Sequence, residues 1–222
     1  MTDFVPRLDI LPAAQRVFWD ELTELPDGFT LYGGTAIALH LGHRVSVDFD
    51  FFGTQAFAPL DLAALLPCLK GATITQTAPN TLGAVVDRGG PVQISFFGVP
   101  RLGRISTPHI SPGNGLPVAA LIDLAGTKAA TVQQRAEAKD YIDIDAMLTS
   151  GAATLADAIG AAQSIYGASY IPELTLKALT WFDDLGLRTL PNDVKSRLVT
   201  AVRGVDLDRL PRFQLMQGGS AS

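Results

Sequence analysis

The length, composition and charge of the chain describe an ordinary globular protein and exclude several classes. It has 222 residues, of which 47% are apolar and 18% charged, so a sizeable core is possible and disorder is excluded as the main state. The formal charge of -5 argues against a protein that coats nucleic acid indiscriminately. A single cysteine, Cys68, cannot form an internal disulfide, and no stretch resembles a signal peptide or a membrane span, so a cytoplasmic protein is expected.

The first half of the chain alternates between helical and extended patterns. Residues 11–24 carry apolar side chains at helical spacing, whereas VDFDFF (47–52) alternates polar and aromatic residues with the period of a strand. The sequence 87–90, DRGG, is typical of a hairpin turn. In chain order we predict a helix (11–24), a strand (29–32), a short helix that opens at GGT (33–35) and ends at Gly42, a strand (47–52), a helix (59–69) and three strands (72–77, 82–87 and 91–99).

The second half of the chain is predicted to be helical. Turn formers crowd residues 106–117, and strand-like patterns nearly vanish beyond them. We therefore predict an α+β fold, with an N-terminal lobe of mixed sheet and helices (1–112) followed by a C-terminal helical lobe (113–222). The tail, 217–222, is expected to be flexible. The predicted helices of the second lobe cover 117–134, 137–149, 154–166, 172–184 and 191–203.

Two further patterns occur near the C-terminus. Trp181, Phe182 and Leu185 fall at helical spacing and are most simply interpreted as core. Between Arg188 and Arg212, six basic residues stand against three acidic ones. This local excess of positive charge indicates either a solvated helix face or a docking surface for an RNA backbone.

Asp48 and Asp50 form the most informative pair of residues. They lie two apart on a predicted strand, so both carboxylates point to one face of the sheet and the aromatic side chains point to the other. Two adjacent like charges contribute nothing to a core, but a divalent cation between them makes the arrangement favourable. Mg²⁺ prefers carboxylate oxygens and keeps positions open for water and substrate phosphates. We therefore predict that both residues are metal ligands.

A glycine turn opens the helix that precedes this strand. Gly33, Gly34 and Thr35 stand where the first N–H groups of the helix are unpaired and carry partial positive charge. Glycine also lets a phosphate approach the backbone closely. An anion-binding helix start beside a metal-binding carboxylate pair is what a nucleoside triphosphate site requires. Nucleotidyl transfer needs little else, because its catalysis is mostly positioning and charge neutralisation.

Two segments resemble a known protein family. Residues 33–52, GGTAIALHLGHRVSVDFDFF, resemble the first motif of the AbiEii/AbiGii-type nucleotidyltransferase toxins, members of the polymerase-β-like nucleotidyltransferase superfamily. Residues 121–148, LIDLAGTKAATVQQRAEAKDYIDIDAML, are similar to the second signature of that family, which has a helical lysine, a spacer containing arginine and a basic-Asp-aromatic-x-Asp sequence. The resemblance covers about residues 30–150.

The resemblance implies roles for residues of the first motif. Gly33 and Gly34 would be its glycine pair, Ser46 would be its serine, and Arg44 would lie beside the phosphates. The two aspartates of VDFDFF would be its metal-binding carboxylates, in agreement with the argument from strand periodicity.

The resemblance also assigns residues of the second signature. Lys128 matches the lysine expected to hold the nucleoside triphosphate, and Asp140 or Asp143 matches the acidic residue. Lys128 lies in the apolar sequence VAALIDLAGTKAA, where an unpaired ammonium group is costly unless an anion meets it, and this favours a functional role. The alternative is that Lys128, Lys139 and Asp143 form ordinary surface pairs.

The chain departs from the superfamily pattern at one position. Many members carry a third carboxylate on a later strand, but the corresponding run VQISFF has Gln93 and Ser95 instead. Gln93 can offer a neutral oxygen to a metal but cannot accept a proton at neutral pH. The third carboxylate could instead be supplied by Asp87 in the hairpin or by one of the two aspartates of the second signature.

These observations predict a Mg²⁺-dependent nucleotidyltransferase. It would move a nucleotide from an NTP to an acceptor, and the resemblance implies tRNA ends as the acceptor class. The resemblance also implies that the chain is the toxin of a toxin–antitoxin or phage-defence pair with a cognate antitoxin. Two alternatives stay open: a catalytically silent nucleotidyltransferase-fold binding module, favoured by the missing carboxylate, and a nucleotidyltransferase that modifies a small molecule.

Overall fold

The computed structural model describes residues 4–23, 25–26 and 28–216, which form two compact units. The first unit contains the chain up to residue 102 together with 108–119, and the second contains 103–107 together with the chain from residue 120. The prediction that two lobes meet between residues 112 and 113 stays a prediction. The tail that is predicted to be flexible, 217–222, lies outside the described residues.

The first unit is built on a mixed sheet. Its strands are β1 (Phe29–Tyr32), β2 (Asp48–Gly53), β3 (Thr73–Ala78), β4 (Thr81–Asp87), β5 (Pro91–Gly98), β6 (His109–Ile110) and β7 (Pro117–Val118). Within the described part of the chain they form one seven-stranded sheet in the order β3-β4-β5-β2-β1-β7-β6. The central strand β2 pairs antiparallel with β1 and parallel with β5. Side chains of β1 and β5 therefore lie beside those of β2 on both faces of the sheet.

One face of this sheet is covered by the core. Three helices belong to the unit: α1 (Ala13–Glu21), α2 (Gly33–Leu41) and α3 (Pro59–Leu65). Phe49 and Phe51 of β2 are fully buried, and the ring of Phe18 on α1 lies 5.3 Å from that of Phe49 between centroids. Helix α2 ends at Gly42, whose φ of +66° is a left-handed conformation that glycine adopts without strain.

The second unit is helical. Its helices are α4 (Leu121–Thr131), α5 (Ala138–Thr149), α6 (Leu155–Tyr166), α7 (Pro172–Ala178) and α8 (Asn192–Arg203). Helix α6 begins at a capping box between Thr154 and Asp157, and α7 begins with a proline at its first position. Across the described residues, no helix combines the length and the apolar character needed to cross a bilayer.

The α+β fold class and most predicted elements are confirmed. Strand β6 forms where only turns were predicted, and three predicted helices have different bounds. Residues 117–118, predicted to start a helix, form β7, because Val118 pairs with Leu31 of β1 and the helix begins only at Leu121. The helix predicted over 59–69 ends at Leu65, since the proline at position 67 disfavours a helical conformation in the residue before it. The helix predicted over 172–184 ends at Ala178.

The prediction that three apolar residues of the C-terminal half form core is wrong for two of them. Trp181 is 55% exposed and Leu185 is 73% exposed, whereas Phe182 is half-buried. Helix α7 ends before this stretch, so helical spacing no longer determines where these side chains point.

Candidate active site

The two aspartates of β2 lie on one face of the sheet. Asp48 and Asp50 are half-buried, and they alternate with fully buried phenylalanines that face the core. On the parallel neighbour β5, Gln93 is in register with Asp48 and Ser95 with Asp50. The same face therefore presents two carboxylates and, beside them, one amide and one hydroxyl.

Gly33 brings the start of α2 directly against one of these carboxylates. It follows the last residue of β1, which is in register with Asp50. Its φ is +72°, and a Cβ at this position would lie 2.6 Å from Asp50 Oδ2. The N-cap residue of the helix, Tyr32, does not cap it with its own side chain. The absence of a side chain at Gly33 thus lets the Asp50 carboxylate lie directly against the start of the helix.

Substitution of this glycine should damage the site more than the fold. We expect Gly33→Ala to cost about 1–2 kcal/mol of stability from the left-handed backbone. Displacement of the Asp50 carboxylate should lower nucleotidyl transfer by about 100-fold. Gly71→Ala is the matched control, because Gly71 has a φ of +78° and open space around the missing Cβ. Urea denaturation and pyrophosphate release measure the two effects, and equal activities of both variants would contradict the interpretation.

The two hydroxyl residues of the first motif are buried. Thr35 and Ser46 are 1% and 6% exposed, and their hydroxyl oxygens are hydrogen-bonded at 2.8 Å. The Thr35 hydroxyl also donates to the backbone carbonyl of Asp48. These contacts attach the start of α2 to the strand that carries the carboxylates. Direct binding of nucleotide by either residue stays a prediction.

Arg44 of the same motif is half-buried in the loop that precedes β2. Its Nη1 donates to the carbonyl of Val45 at 3.0 Å. The guanidinium group therefore lies on the segment that enters the strand of the two aspartates, and its contact with phosphate stays a prediction.

The charged residues of the second signature form one buried cluster in the second unit. Lys128 Nζ lies 2.6 Å from Asp140 Oδ1 and 2.8 Å from Asp143 Oδ2. The lysine side chain is 7% exposed and both carboxylates are 0% exposed. The cluster joins α4 to α5. The alternative that Lys128 and Asp143 form ordinary surface pairs is wrong, whereas Lys139 does form an exposed pair, with Glu137.

A second cation completes this cluster. Arg135 donates from Nε to Asp140 Oδ2 at 2.8 Å and from Nη2 to Asp140 Oδ1 at 3.2 Å. Burial by itself would raise the pKa of Asp140, but hydrogen bonds from Arg135 and the charge of Lys128 lower it below its ordinary value. The buried Lys128 and the Arg135 side chain, which is 47% exposed, therefore supply two positive charges to the two buried carboxylates.

One buried carboxylate is missing from the sequence-based predictions. Asp123 is 1% exposed and accepts hydrogen bonds from the backbone N–H groups of Ile105 and Ser106, at 2.7 and 3.0 Å. Burial raises the pKa of Asp123. The sequence contains an indication of this burial, because Asp123 lies in the same apolar run as Lys128. It fixes the short segment 103–107 to α4.

The predicted site residues thus form two groups, one in each unit. The glycine pair and both metal-ligand candidates, Asp48 and Asp50, lie together in the first unit. Lys128, Asp140 and Asp143 lie together in the second unit. Asp87, the open substitute for a third carboxylate, accepts hydrogen bonds from two glycine N–H groups of the hairpin turn and so serves that turn.

The first group has the donors that a hard divalent cation prefers. Two carboxylates share a face, and the neighbouring strand places the amide of Gln93 and the hydroxyl of Ser95 in register with them. Among the described residues, no group of three or more His, Cys, Asp or Glu side chains is placed to hold a metal. A cation held by only two carboxylates keeps positions for substrate oxygens, so the donor set fits Mg²⁺ in a triphosphate complex.

The chain has the fold of solved nucleotidyltransferase structures. The solved structure of the nucleotidyltransferase toxin MenT4 from Mycobacterium tuberculosis matches with a TM-score of 0.55 at 14% identity, over 88% of this chain and 86% of that one. A candidate nucleotidyltransferase from H. pylori matches with a TM-score of 0.53 at 16% identity, over 86% of this chain and 90% of that one. These likenesses confirm the fold.

The family follows from a sequence model. Residues 17–214 match the model of the nucleotidyl transferase AbiEii toxin family of type IV toxin–antitoxin systems, and the chain belongs to this family. The family that the two sequence motifs indicate is therefore confirmed. An uncharacterized protein of Aquifex aeolicus is 30% identical over 118 residues, which are 52% of this chain. The chain spans about half the length of this curated relative, 55%.

Proposed function

We propose that this chain is the toxin of a toxin–antitoxin pair and transfers a nucleotide from an NTP to a hydroxyl group of an RNA acceptor such as tRNA, with Mg²⁺ as cofactor. One observation carries the proposal: the carboxylates of Asp48 and Asp50 share a sheet face, and the missing side chain of Gly33 lets the start of α2 lie directly against Asp50. A cation site and an anion site then lie side by side, as a metal-bound triphosphate requires.

The reaction is a displacement at phosphorus. The acceptor hydroxyl oxygen forms a bond to the α-phosphorus, the bond from that phosphorus to the α,β-bridging oxygen breaks, and pyrophosphate leaves with the bond electrons. When bound, Mg²⁺ would neutralise charge on the phosphate oxygens. Asp48 and Asp50 would hold this cation, and the N–H groups at the start of α2 would bind the departing phosphates. Gln93 cannot accept the hydroxyl proton, which would leave to solvent water.

The family resemblance adds the charged cluster of the second unit to this proposal. It implies that Lys128 holds the triphosphate and that Asp140 or Asp143 is the acidic residue of the second signature. The distances of 2.6 and 2.8 Å from Lys128 Nζ to these carboxylates support only their role in orienting the ammonium group. The type IV toxin–antitoxin family implies a cognate antitoxin as the biological partner.

A labelling experiment tests the proposal. The purified chain is incubated with total tRNA, Mg²⁺ and each of the four NTPs in turn, labelled at the α-phosphate. The expected result is label on the tRNA together with an equal amount of released pyrophosphate, for one preferred NTP. Label that appears only on small molecules would contradict the RNA acceptor.

A second candidate function is favoured by Gln93, which replaces a carboxylate beside Asp48. A catalytically silent module would bind NTP in a calorimeter and release no pyrophosphate under any of the conditions above. This outcome would contradict the transferase proposal and leave a nucleotide-binding protein with the same fold.

A further inference from the structure

The sheet face that carries the two aspartates continues into an aromatic surface. Along β2, Asp48, Asp50 and Phe52 are half-buried and alternate with the buried residues of the core face. On β5, Phe97 is in register with Phe52, just as Ser95 is in register with Asp50. Phe52 and Phe97 therefore lie on the same face as the carboxylates, one step further along both strands.

These two rings differ from the other phenylalanines of the central strands. Phe49, Phe51 and Phe96 on the opposite face are fully buried, whereas Phe52 and Phe97 keep part of their surface exposed. Large aromatic side chains that stay accessible beside a catalytic site supply flat surfaces for a ligand ring.

The ring geometry makes this surface rigid. Tyr32 is 2% exposed, and its ring is stacked under that of Phe52 with centroids 4.8 Å apart and an interplanar angle of 12°. The rings of Phe97 and Phe52 form a T-shaped pair, at 5.5 Å and 85°. Phe52 is therefore in contact with an aromatic ring on β1 and with another on β5. We name Phe52 and Phe97, with Tyr32 stacked on Phe52, the aromatic platform.

The position of the platform relative to the glycine turn indicates which substrate it meets. The turn follows β1, on one side of β2, and Phe97 lies on β5, on the other side. If the triphosphate is bound at the turn and pyrophosphate leaves towards it, an in-line attacking hydroxyl comes from the β5 side. Asp50 and Phe97 are diagonal neighbours on adjacent strands, about 8 Å apart between Cα atoms. A terminal nucleotide is of comparable size, so its hydroxyl can lie at the carboxylates while its base lies at the rings.

The residues beside the two exposed rings are suited to stacking of a base. Thr30 is in register with Phe52 and Thr81 with Phe97, and neither carries a charge, whereas the carboxylate of Asp50 is in register with Tyr32 at the other end of the platform. Any nucleobase can stack on an aromatic ring of this kind.

We propose, on the basis of the transferase function above, that the aromatic platform is a stacking subsite for the terminal base of a nucleic-acid acceptor. The attacking hydroxyl forms its bond to the α-phosphorus as pyrophosphate leaves, and the stacked base positions that hydroxyl. Phe52 and Phe97 are positioning residues that take no proton and form no bond.

The test compares two single-stranded oligonucleotides without NTP. One is fluorescein-labelled octa-adenylate, and the other has the same backbone and 3′ hydroxyl but lacks the terminal base. Fluorescence anisotropy should show that the wild-type chain binds the complete oligonucleotide about tenfold more tightly. Phe97→Ala should abolish this preference, and Phe97→Leu, which keeps apolar volume for folding, should reduce it strongly. Phe97→Tyr should retain it.

The control and the contradicting outcomes are specific. Phe57→Ala removes another half-buried ring, one that packs on Phe29 at 5.8 Å, and should keep the preference. Equal affinity of the wild-type chain for the two oligonucleotides would overturn the subsite. So would a preference for the complete oligonucleotide that is unchanged in both Phe97→Ala and Phe52→Ala. Calorimetric ATP binding should stay within twofold in Phe97→Ala, and a parallel loss would assign the platform to the NTP base instead. Since no step requires turnover, failure of the labelling experiment alone would affect only the transferase proposal.

Discussion

Asp48→Asn and Asp50→Asn should each lower pyrophosphate release by about 10³-fold, which corresponds to about 4 kcal/mol of transition-state stabilisation. Asparagine keeps the shape of the side chain but removes the negative charge that holds the cation. Both residues are half-buried on a strand whose other face carries the core, so the fold should be retained. Steady-state pyrophosphate release, with circular dichroism as the folding check, measures the effect.

Asp87→Asn is the matched control for these variants. Asp87 Oδ1 accepts hydrogen bonds from the N–H groups of Gly89 and Gly90 at 2.9 and 3.0 Å, and an asparagine oxygen can accept the same bonds. The control should keep wild-type activity. A loss as large as that of Asp48→Asn would show that Asp87 supplies the missing third carboxylate. Full activity in Asp50→Asn would remove the metal assignment.

Lys128→Met should destabilise the fold by about 3–5 kcal/mol, because it leaves buried carboxylates without their shared cation. Lys128 Nζ lies between Asp140 and Asp143, at 2.6 and 2.8 Å, and neither carboxylate is exposed. Methionine fills a similar volume, so the loss reports charge and not a cavity. Urea denaturation at neutral pH measures the free energy of unfolding.

Lys139→Met gives the matched surface comparison. Lys139 Nζ lies 3.2 Å from Glu137 Oε2, and both side chains are nearly half exposed. The expected change is below about 1 kcal/mol. If the two lysine variants were equally stable, the buried cluster would not contribute to the fold as described.

The same cluster predicts a pH dependence of stability. The pKa of Asp140 is lower in the folded chain than in the unfolded chain, chiefly through Arg135 and Lys128, which overcome the effect of burial. A carboxylate with a depressed pKa stabilises the fold above its unfolded pKa of about 3.9, and this contribution is lost as the pH falls through the folded value. The free energy of unfolding should thus fall below about pH 4, and less steeply in Asp140→Asn. An equal pH dependence of the free energy of unfolding in the wild-type chain and in Asp140→Asn would contradict the stabilising role of the Asp140 carboxylate.

Strand periodicity was sufficient to predict the central part of the site. The alternation in VDFDFF placed Asp48 and Asp50 on one face, and the glycine turn placed a helix start before them, because both arguments use only local geometry. The first-motif resemblance indicated the family that the comparison confirms. Local patterns also located most strands and helices.

Long-range pairing accounts for what the sequence did not reveal. Strand β7 is short and exists because Val118 pairs with Leu31, far earlier in the chain. The sequence near Lys128 does not determine the distance between this residue and α5. It therefore cannot distinguish an exposed ion pair from the buried cluster that the structure shows. The aromatic platform requires the register of β2 with β5, which periodicity within one strand cannot supply.

Metal binding in the absence of turnover tests the central claim most directly. The chain is titrated with Mn²⁺ as a paramagnetic substitute for Mg²⁺, with and without an NTP analogue whose α,β-bridging oxygen is replaced by carbon, and bound Mn²⁺ is followed by electron paramagnetic resonance. The account predicts one bound ion per chain whose affinity rises with the analogue and falls at least tenfold in the double variant Asp48→Asn/Asp50→Asn. Equal Mn²⁺ binding by the wild-type chain and the double variant would contradict it.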